Sequence, residues 1–189
     1  MTKTGVSFSS MSPRKNVLGL LKGGNRRSIG RADEVTVAVS KSLAMFPALL
    51  QGLWSDDPLV RMRAADATEK ITRSNPDVLQ RYKRELLGLM SETKQQELRW
   101  HLAAMVPRLH LNVKERELVR CLLDNYLQDH SSIVKTSALQ ALADLTAEHT
   151  SIRSEVIEIL RRSARNGTPA MKARSRKLLR KLKHDRAKV

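Results

Sequence analysis

An apolar residue followed by a basic residue recurs along this chain at intervals of about 37 residues. The four pairs are Val60-Arg61, Leu98-Arg99, Val134-Lys135 and Met171-Lys172, and their basic positions are 38, 36 and 37 residues apart. A polar residue typical of a turn precedes each pair: Asp56, Glu92, Asp129 and Asn166. A repeat of this length can form one helical hairpin. Such a hairpin cannot bury its apolar face alone, so neighbouring units must stack on it.

Helix-start signals divide each repeat into two segments. Asn, Asp, Ser and Thr cap the free N–H groups of a helix start, and proline suits the first helical position. A cap followed by proline occurs at Asp57-Pro58, Asn75-Pro76 and Thr168-Pro169, capping-box spacing occurs at Thr93/Gln96 and Asn112/Glu115, and Ser or Thr caps lie at 131–132 and 150–151. In the segment after Asn112, helical spacing predicts one buried face with Leu118, Cys121, Leu122 and Tyr126, so that Cys121 is an inert buried thiol.

The repeated unit resembles the HEAT repeat. The likeness is carried by a turn Asp, a Val-Arg type pair about six residues later, and then Ala and Leu at helical spacing, best matched from Asp129 to Leu145. It covers roughly residues 31–182. The resemblance implies an all-α chain that forms a right-handed α-solenoid of about four to five HEAT-like helical hairpins, with the second helices lining a concave surface. It does not imply one biochemical activity.

Composition suggests two regions. Residues 1–30 are rich in Ser, Gly, Lys and Arg and are predicted to form a basic, largely flexible N-terminal arm, while residues 31–189 are predicted to form the repeat domain with a basic C-terminal helix. The stretch 23–30 contains three glycines together with Arg26 and Arg27. We interpret it as a flexible linker, with the alternative that its N–H groups and arginines bind phosphate.

Positive charge is concentrated at the two ends of the chain. The net charge is +16, of which residues 1–36 contribute +5, residues 37–164 contribute +2 and residues 165–189 contribute +9. This pattern favours an anionic partner, a nucleic acid first, bound through the ends. The candidate contacts are Arg26, Arg27, Arg174, Lys177, Arg180 and Lys181. No aromatic residue interleaves with the C-terminal run, which favours phosphate contacts over base stacking.

A second candidate surface follows from the repeated pairs. If the second helices line a concave face, it would present Arg61, Arg63, Arg99, Trp100, Lys135 and Lys172. Two interpretations remain open for the repeated cations. In the first, each cation bonds a turn carboxylate of its own or a neighbouring repeat. In the second, the cations together form a basic stripe that a partner contacts.

These patterns favour a non-catalytic module that binds a protein or a nucleic acid. One alternative is a HEAT-like DNA repair glycosylase using Trp100, Arg63 and Asp66, and another is a pure protein scaffold whose basic ends only confer solubility. We expect no metal and no cofactor, because the five histidines form no His-Glu-x-x-His motif. A single cysteine and the lack of a long apolar stretch predict a cytoplasmic protein without a membrane span. The partner's identity and the oligomeric state stay open.

Overall fold

Every regular element in the described part of the chain is helical. The computed structural model describes residues 13–25, 27–148 and 150–186, and these contain ten α-helices and five short 3-10 helices. The all-α prediction is therefore confirmed for these residues. The chain divides into two compact units, residues 1–71 and 72–189. Among the described helices none is long and apolar enough to cross a membrane alone, and only the sharply bent pair 32–41 and 43–54 reaches that length and composition when taken together.

In its described residues the first unit contains four α-helices, which are α1 (Pro13–Leu21), α2 (Ala32–Lys41), α3 (Phe46–Gln51) and most of α4 (Pro58–Thr72). Helix α1 packs on α2 and α3, and its Val17 and Leu21 are buried. This part of the predicted flexible arm therefore belongs to the core of the first unit. The first twelve residues of that arm and Arg26 lie outside the described residues.

Arg63 on α4 organises the segment that follows α1. Its side chain is 1 % exposed, and its guanidinium donates five hydrogen bonds to main-chain carbonyls. The acceptors are Leu21 (2.7 Å), Gly23 (2.5 Å), Asn25 (3.2 Å) and Ser28 (3.1 and 3.3 Å). An arginine has five N–H donors, so all of them are satisfied. The prediction that Arg63 lies on a binding surface is therefore wrong, because its guanidinium is buried and bonds to main-chain carbonyls of the first unit.

The glycines of this segment allow it to wrap closely around the guanidinium. Gly30 has φ of +57°, and a Cβ atom built on it would lie 2.9 Å from the Arg63 Cζ atom. Side-chain-bearing residues rarely adopt positive φ, and a contact this short requires a shift of one partner. The carbonyls of Gly23, Asn25 and Ser28 are therefore held to α4 by hydrogen bonds from Arg63. The interpretation of residues 23–30 as a flexible linker did not predict these bonds.

The described α-helices of the second unit form three hairpins. They are α5 (Lys83–Glu92) with α6 (Gln96–Met105), α7 (Val113–Leu127) with α8 (Ser132–Glu148), and α9 (Arg153–Asn166) with α10 (Pro169–Arg186). Besides the contacts inside each hairpin, α6 packs on α8 and α8 packs on α10. The second helix of each hairpin thus contacts the second helix of the next.

Most of the predicted helix starts are present. Asp57 accepts a hydrogen bond from the Leu59 N–H (2.8 Å) directly before α4, and the Thr168 hydroxyl accepts one from the Met171 N–H (3.3 Å) at the start of α10. Asn112 and Glu115 form the predicted capping box of α7. The box predicted at Thr93 and Gln96 is wrong, because α6 begins at Gln96 with no side-chain cap. Asn75-Pro76 begins a 3-10 helix rather than an α-helix.

The buried face of α7 differs from the predicted one. Its buried residues are Val119, Leu123 and Tyr126, whereas Leu118 is 46 % exposed and Cys121 is exposed. Apolar residues occur on two adjacent sides of this helix, so spacing alone permitted two choices of buried face. The prediction that Cys121 is a buried thiol is therefore wrong.

We predict that Gly30→Ala destabilises the protein. A methyl group at positive φ strains the backbone and displaces the Arg63 guanidinium, so we expect a loss of about 1–3 kcal/mol in the free energy of unfolding. Urea unfolding followed by circular dichroism measures the change.

Gly88→Ala is the matched control for this substitution. Gly88 lies within α5 and a Cβ atom there meets nothing within 4 Å, so the same change should stabilise its helix by about 0.5–1 kcal/mol. Equal stabilities of the two variants would contradict the proposed packing of the loop around Arg63.

Candidate nucleic-acid interface

The last helix presents one apolar face and a continuous basic remainder. Helix α10 spans residues 169–186, which contain eight Lys or Arg and one acidic residue. Its buried side chains are Met171, Ser175, Leu178 and Leu182. This i, i+4, i+7, i+11 spacing gives a single stripe, and the stripe packs on α8 and α9. The positively charged residues consequently occupy the sides and the outward face of the helix.

Two of the predicted contacts, Arg174 and Lys181, lie on the side of α10 that faces α8. Arg174 Nη1 is 3.1 Å from Gln140 Oε1, and Lys181 Nζ is 3.6 Å from Asp144 Oδ1. Both side chains are still exposed. They can contact an external anion, but they also help to position α10 on α8.

The side of α10 that faces away from α8 and α9 carries three cations that bond to no described side chain or carbonyl. Arg176, Lys177 and Arg180 are exposed, and they make no hydrogen bond and no ion pair with any residue that the structure describes. Lys177 and Arg180 were predicted as contacts from the sequence. Arg176 was missed, although it belongs to the same basic run. A charge that is paired with nothing in its own protein is available to an anionic ligand at the lowest cost.

The N-terminal candidates are only partly described. Arg27 is exposed, and its main-chain N–H donates to Asn25 Oδ1 at 2.9 Å. Arg26 lies outside the described residues. Arg27 belongs to the first unit and α10 to the second, so each is considered as a separate surface.

The repeated basic positions do not share one environment. Arg61 donates to the main-chain carbonyls of Ser55 (2.6 Å) and Asp56 (3.2 Å), so it closes its own turn through carbonyls. Arg99 pairs with Asp129, a carboxylate in the turn of the next hairpin, at 2.5 Å.

The other two repeated positions, Lys135 and Lys172, form no ion pair among the described residues. Lys135 lines a groove of about 500 Å³ that is also lined by the carboxylates of Asp124, Glu155 and Glu158. Lys172 is half-buried. The interpretation as internal ion pairs thus holds at Arg99, and the four cations do not form one uniform stripe.

Arg99 belongs to a small polar cluster that joins two hairpins. Its guanidinium carbon lies 5.2 Å from the Tyr126 ring centroid, and the Tyr126 hydroxyl donates to the Met90 carbonyl at 2.8 Å. Burial of the Asp129 carboxyl would by itself raise its pKa, but hydrogen bonds from the Ser131 N–H and from Arg99 hold the pKa below its usual range. This geometry gives Arg99 a structural contact between two hairpins.

The three residues considered for a glycosylase each contact other residues of the protein. Arg63 is internal, and Asp66 forms an ion pair with Lys70 at 2.8 Å. The half-buried Trp100 ring lies against His101, with ring centroids 5.7 Å apart. No group of three or more His, Cys, Asp or Glu that could hold a metal occurs within the described ranges. No observation therefore favours the glycosylase alternative over a binding surface.

Comparison of the chain with protein-family models, with curated proteins and with solved structures returned no match.

We predict that Asp129→Asn weakens the protein at neutral pH but not in acid. The pKa of Asp129 is lowered in the folded state, so its stabilisation is present above the unfolded pKa of about 3.9 and is lost as the pH falls through the lower folded value. We expect a loss of about 1–2 kcal/mol at pH 7, because a hydrogen bond to a charged group is removed. The difference from wild type should shrink steadily between about pH 5 and pH 2, as measured by urea unfolding.

Glu92→Gln serves as the control, since this exposed carboxylate forms no ion pair within the described part of the chain. It should leave the pH dependence unchanged. A constant difference between Asp129→Asn and wild type from pH 7 to pH 2 would show that the Asp129 charge has no role in stability.

Proposed function

We propose that this protein is a non-catalytic helical-repeat module that binds the phosphate backbone of a nucleic acid through the outward side of α10. The observation that carries the proposal is the exposed trio of Arg176, Lys177 and Arg180, which has no partner among the described residues. Arg174 and Lys181 flank this trio. The remainder of the protein serves to hold the basic helix in place.

The architecture that we propose for the second unit is a stack of HEAT-like repeats. Three observations support it: consecutive hairpins, second helices that contact one another in chain order, and the Arg99–Asp129 pair that connects one repeat to the turn of the next. The finer proposal is a right-handed α-solenoid with α6, α8 and α10 along its inner side. Such stacks bind partners over extended surfaces.

The chemistry of α10 suits backbone contacts better than base recognition. The helix has 18 residues, which corresponds to a length of about 27 Å. Its cations can therefore meet several successive phosphates. It has no aromatic residue on which an unpaired base could stack. Binding would be driven by release of counterions and would be steeply dependent on salt.

We predict that Arg176→Gln/Lys177→Gln/Arg180→Gln weakens binding to duplex DNA roughly tenfold or more at 50 mM KCl. Each lost phosphate contact lowers the slope of log affinity against log salt by about 0.9, so three contacts should lower it by roughly 2–3. Fluorescence anisotropy with a labelled random duplex, repeated with an RNA duplex, measures both quantities.

The matched control is Arg84→Gln/Lys94→Gln/Lys114→Gln. It removes the same charge from three exposed cations of the second unit that likewise have no partner among the described residues, and it should keep most of the affinity and slope. Equal losses of affinity and salt slope in the two triple variants would mean that binding depends only on the net charge of the protein. Absence of salt-dependent binding by the wild type would leave the pure scaffold as the better proposal.

A further inference from the structure

The hairpin of α9 and α10 has an apolar groove that no other described helix lines. The groove has a volume of about 510 Å³ and lies between α9 and α10. Its lining residues are Thr150, Arg153, Ser154, Ile157, Arg161, Leu179, Leu182 and Lys183. Helix α8 packs between α6 and α10, whereas the groove is lined only by residues of α9, of α10 and of the short 3-10 helix before α9. Its aliphatic floor is therefore covered by no other described helix.

The groove is formed by residues at regular helical spacing. On α9, Arg153, Ile157 and Arg161 are four residues apart and therefore lie along one side over about 12 Å. On α10, Leu179, Leu182 and Lys183 lie on the adjoining side. Ile157 and Leu179 are each half-buried in the protein alone. Two large aliphatic side chains thus remain partly in contact with water at the centre of the groove.

The rim of the groove is purely basic. Arg153, Arg161 and Lys183 line it, and no carboxylate among the described side chains does. Arg153 is held in position by its hydrogen bond to the Leu182 carbonyl. Arg161 pairs with Glu158, a residue that lines the separate groove on the other side of α9. Lys183 has no partner among the described residues.

We propose that this groove binds an amphipathic helix of another protein that carries acidic residues on both sides of an apolar stripe. The aliphatic floor would receive the stripe, and the three rim cations would meet the carboxylates. A second copy of this chain is a poor occupant, because two such rims would bring six positive charges together. A nucleic acid is also a poor occupant, because it has no group for the aliphatic floor. This inference goes beyond the proposed binding of nucleic acid, which uses other residues of α10.

The test uses the full chain and a labelled synthetic 16-residue peptide with capped ends. The peptide has leucines at i, i+3, i+4 and i+7 spacing and glutamates on both flanks. One control peptide has the same composition with the leucines distributed around the helix, and another has lysine in place of every glutamate. Fluorescence anisotropy gives the affinities. We expect the amphipathic acidic peptide to bind at least tenfold more tightly than either control peptide.

Two variants locate the binding to the groove. Ile157→Ser/Leu179→Ser should weaken binding of the acidic peptide at least tenfold, with folding checked by circular dichroism. Arg161→Glu/Lys183→Glu should invert the preference, so that the lysine peptide binds more tightly than the glutamate peptide. This inversion tests the groove even if the first variant fails to fold. Arg176→Gln/Lys177→Gln/Arg180→Gln should bind the acidic peptide as the wild type does.

Several outcomes would overturn the proposal. Equal binding of the scrambled acidic peptide would mean attraction by charge alone, and so would a loss of binding in the Arg176/Lys177/Arg180 variant. Self-association of the wild type that disappears in Ile157→Ser/Leu179→Ser, seen by analytical ultracentrifugation, would assign the groove to a second copy. These results are independent of the DNA and RNA measurements, so failure of one proposal does not decide the other.

Discussion

The arrangement of the second unit depends on the close approach of other helices to α8 from several sides. Helix α8 packs on α6, α7, α9 and α10, and a helix with so many neighbours must be apolar around most of its circumference. Its buried residues include three alanines, Ala138, Ala141 and Ala143, whose small side chains permit short distances between helix axes. The buried hydroxyl of Thr146 is satisfied locally, by donation to the Ala143 carbonyl at 2.7 Å. Enlarging any of these buried alanines would therefore disturb the packing of other helices on α8.

Local signals in the sequence predicted where most helices start, but they did not predict which face of every helix is buried. Helix starts at Pro58, Val113 and Pro169 could be predicted, because a capping side chain bonds to N–H groups only two or three residues away. The face of α7 could not be predicted, because that helix has apolar residues on two adjacent sides and its neighbours α5 and α8 decide which side is covered. The same limit applies to Cys121, whose exposure depends on that choice.

The candidate interface shows a similar division. Two of the three outward cations of α10, Lys177 and Arg180, were predicted, because residues opposite a single apolar stripe face solvent. The roles of Arg63 and Arg99 could not, since their partners are distant in the chain. Arg63 bonds to carbonyls 35–42 residues earlier, and Arg99 bonds to a carboxylate 30 residues later. A sequence pattern indicates where a cation is placed on its own helix, whereas only the tertiary structure shows whether that cation is already neutralised.

The hydrogen bonds of the buried Arg63 and the exposed charges of α10 differ in their sensitivity to dissolved salt. Its acceptors are peptide dipoles and not ions, and it is removed from solvent, so dissolved salt has little means of screening it. The outward arginines and lysine of α10 lie in the ionic atmosphere and are fully subject to it. One chain therefore combines an arginine anchor that is indifferent to ionic strength with a surface whose attraction fades as ionic strength rises. The hydrogen bonds from Arg63 to the carbonyls of Gly23, Asn25 and Ser28 should therefore persist at salt concentrations that would weaken the proposed binding of a nucleic acid.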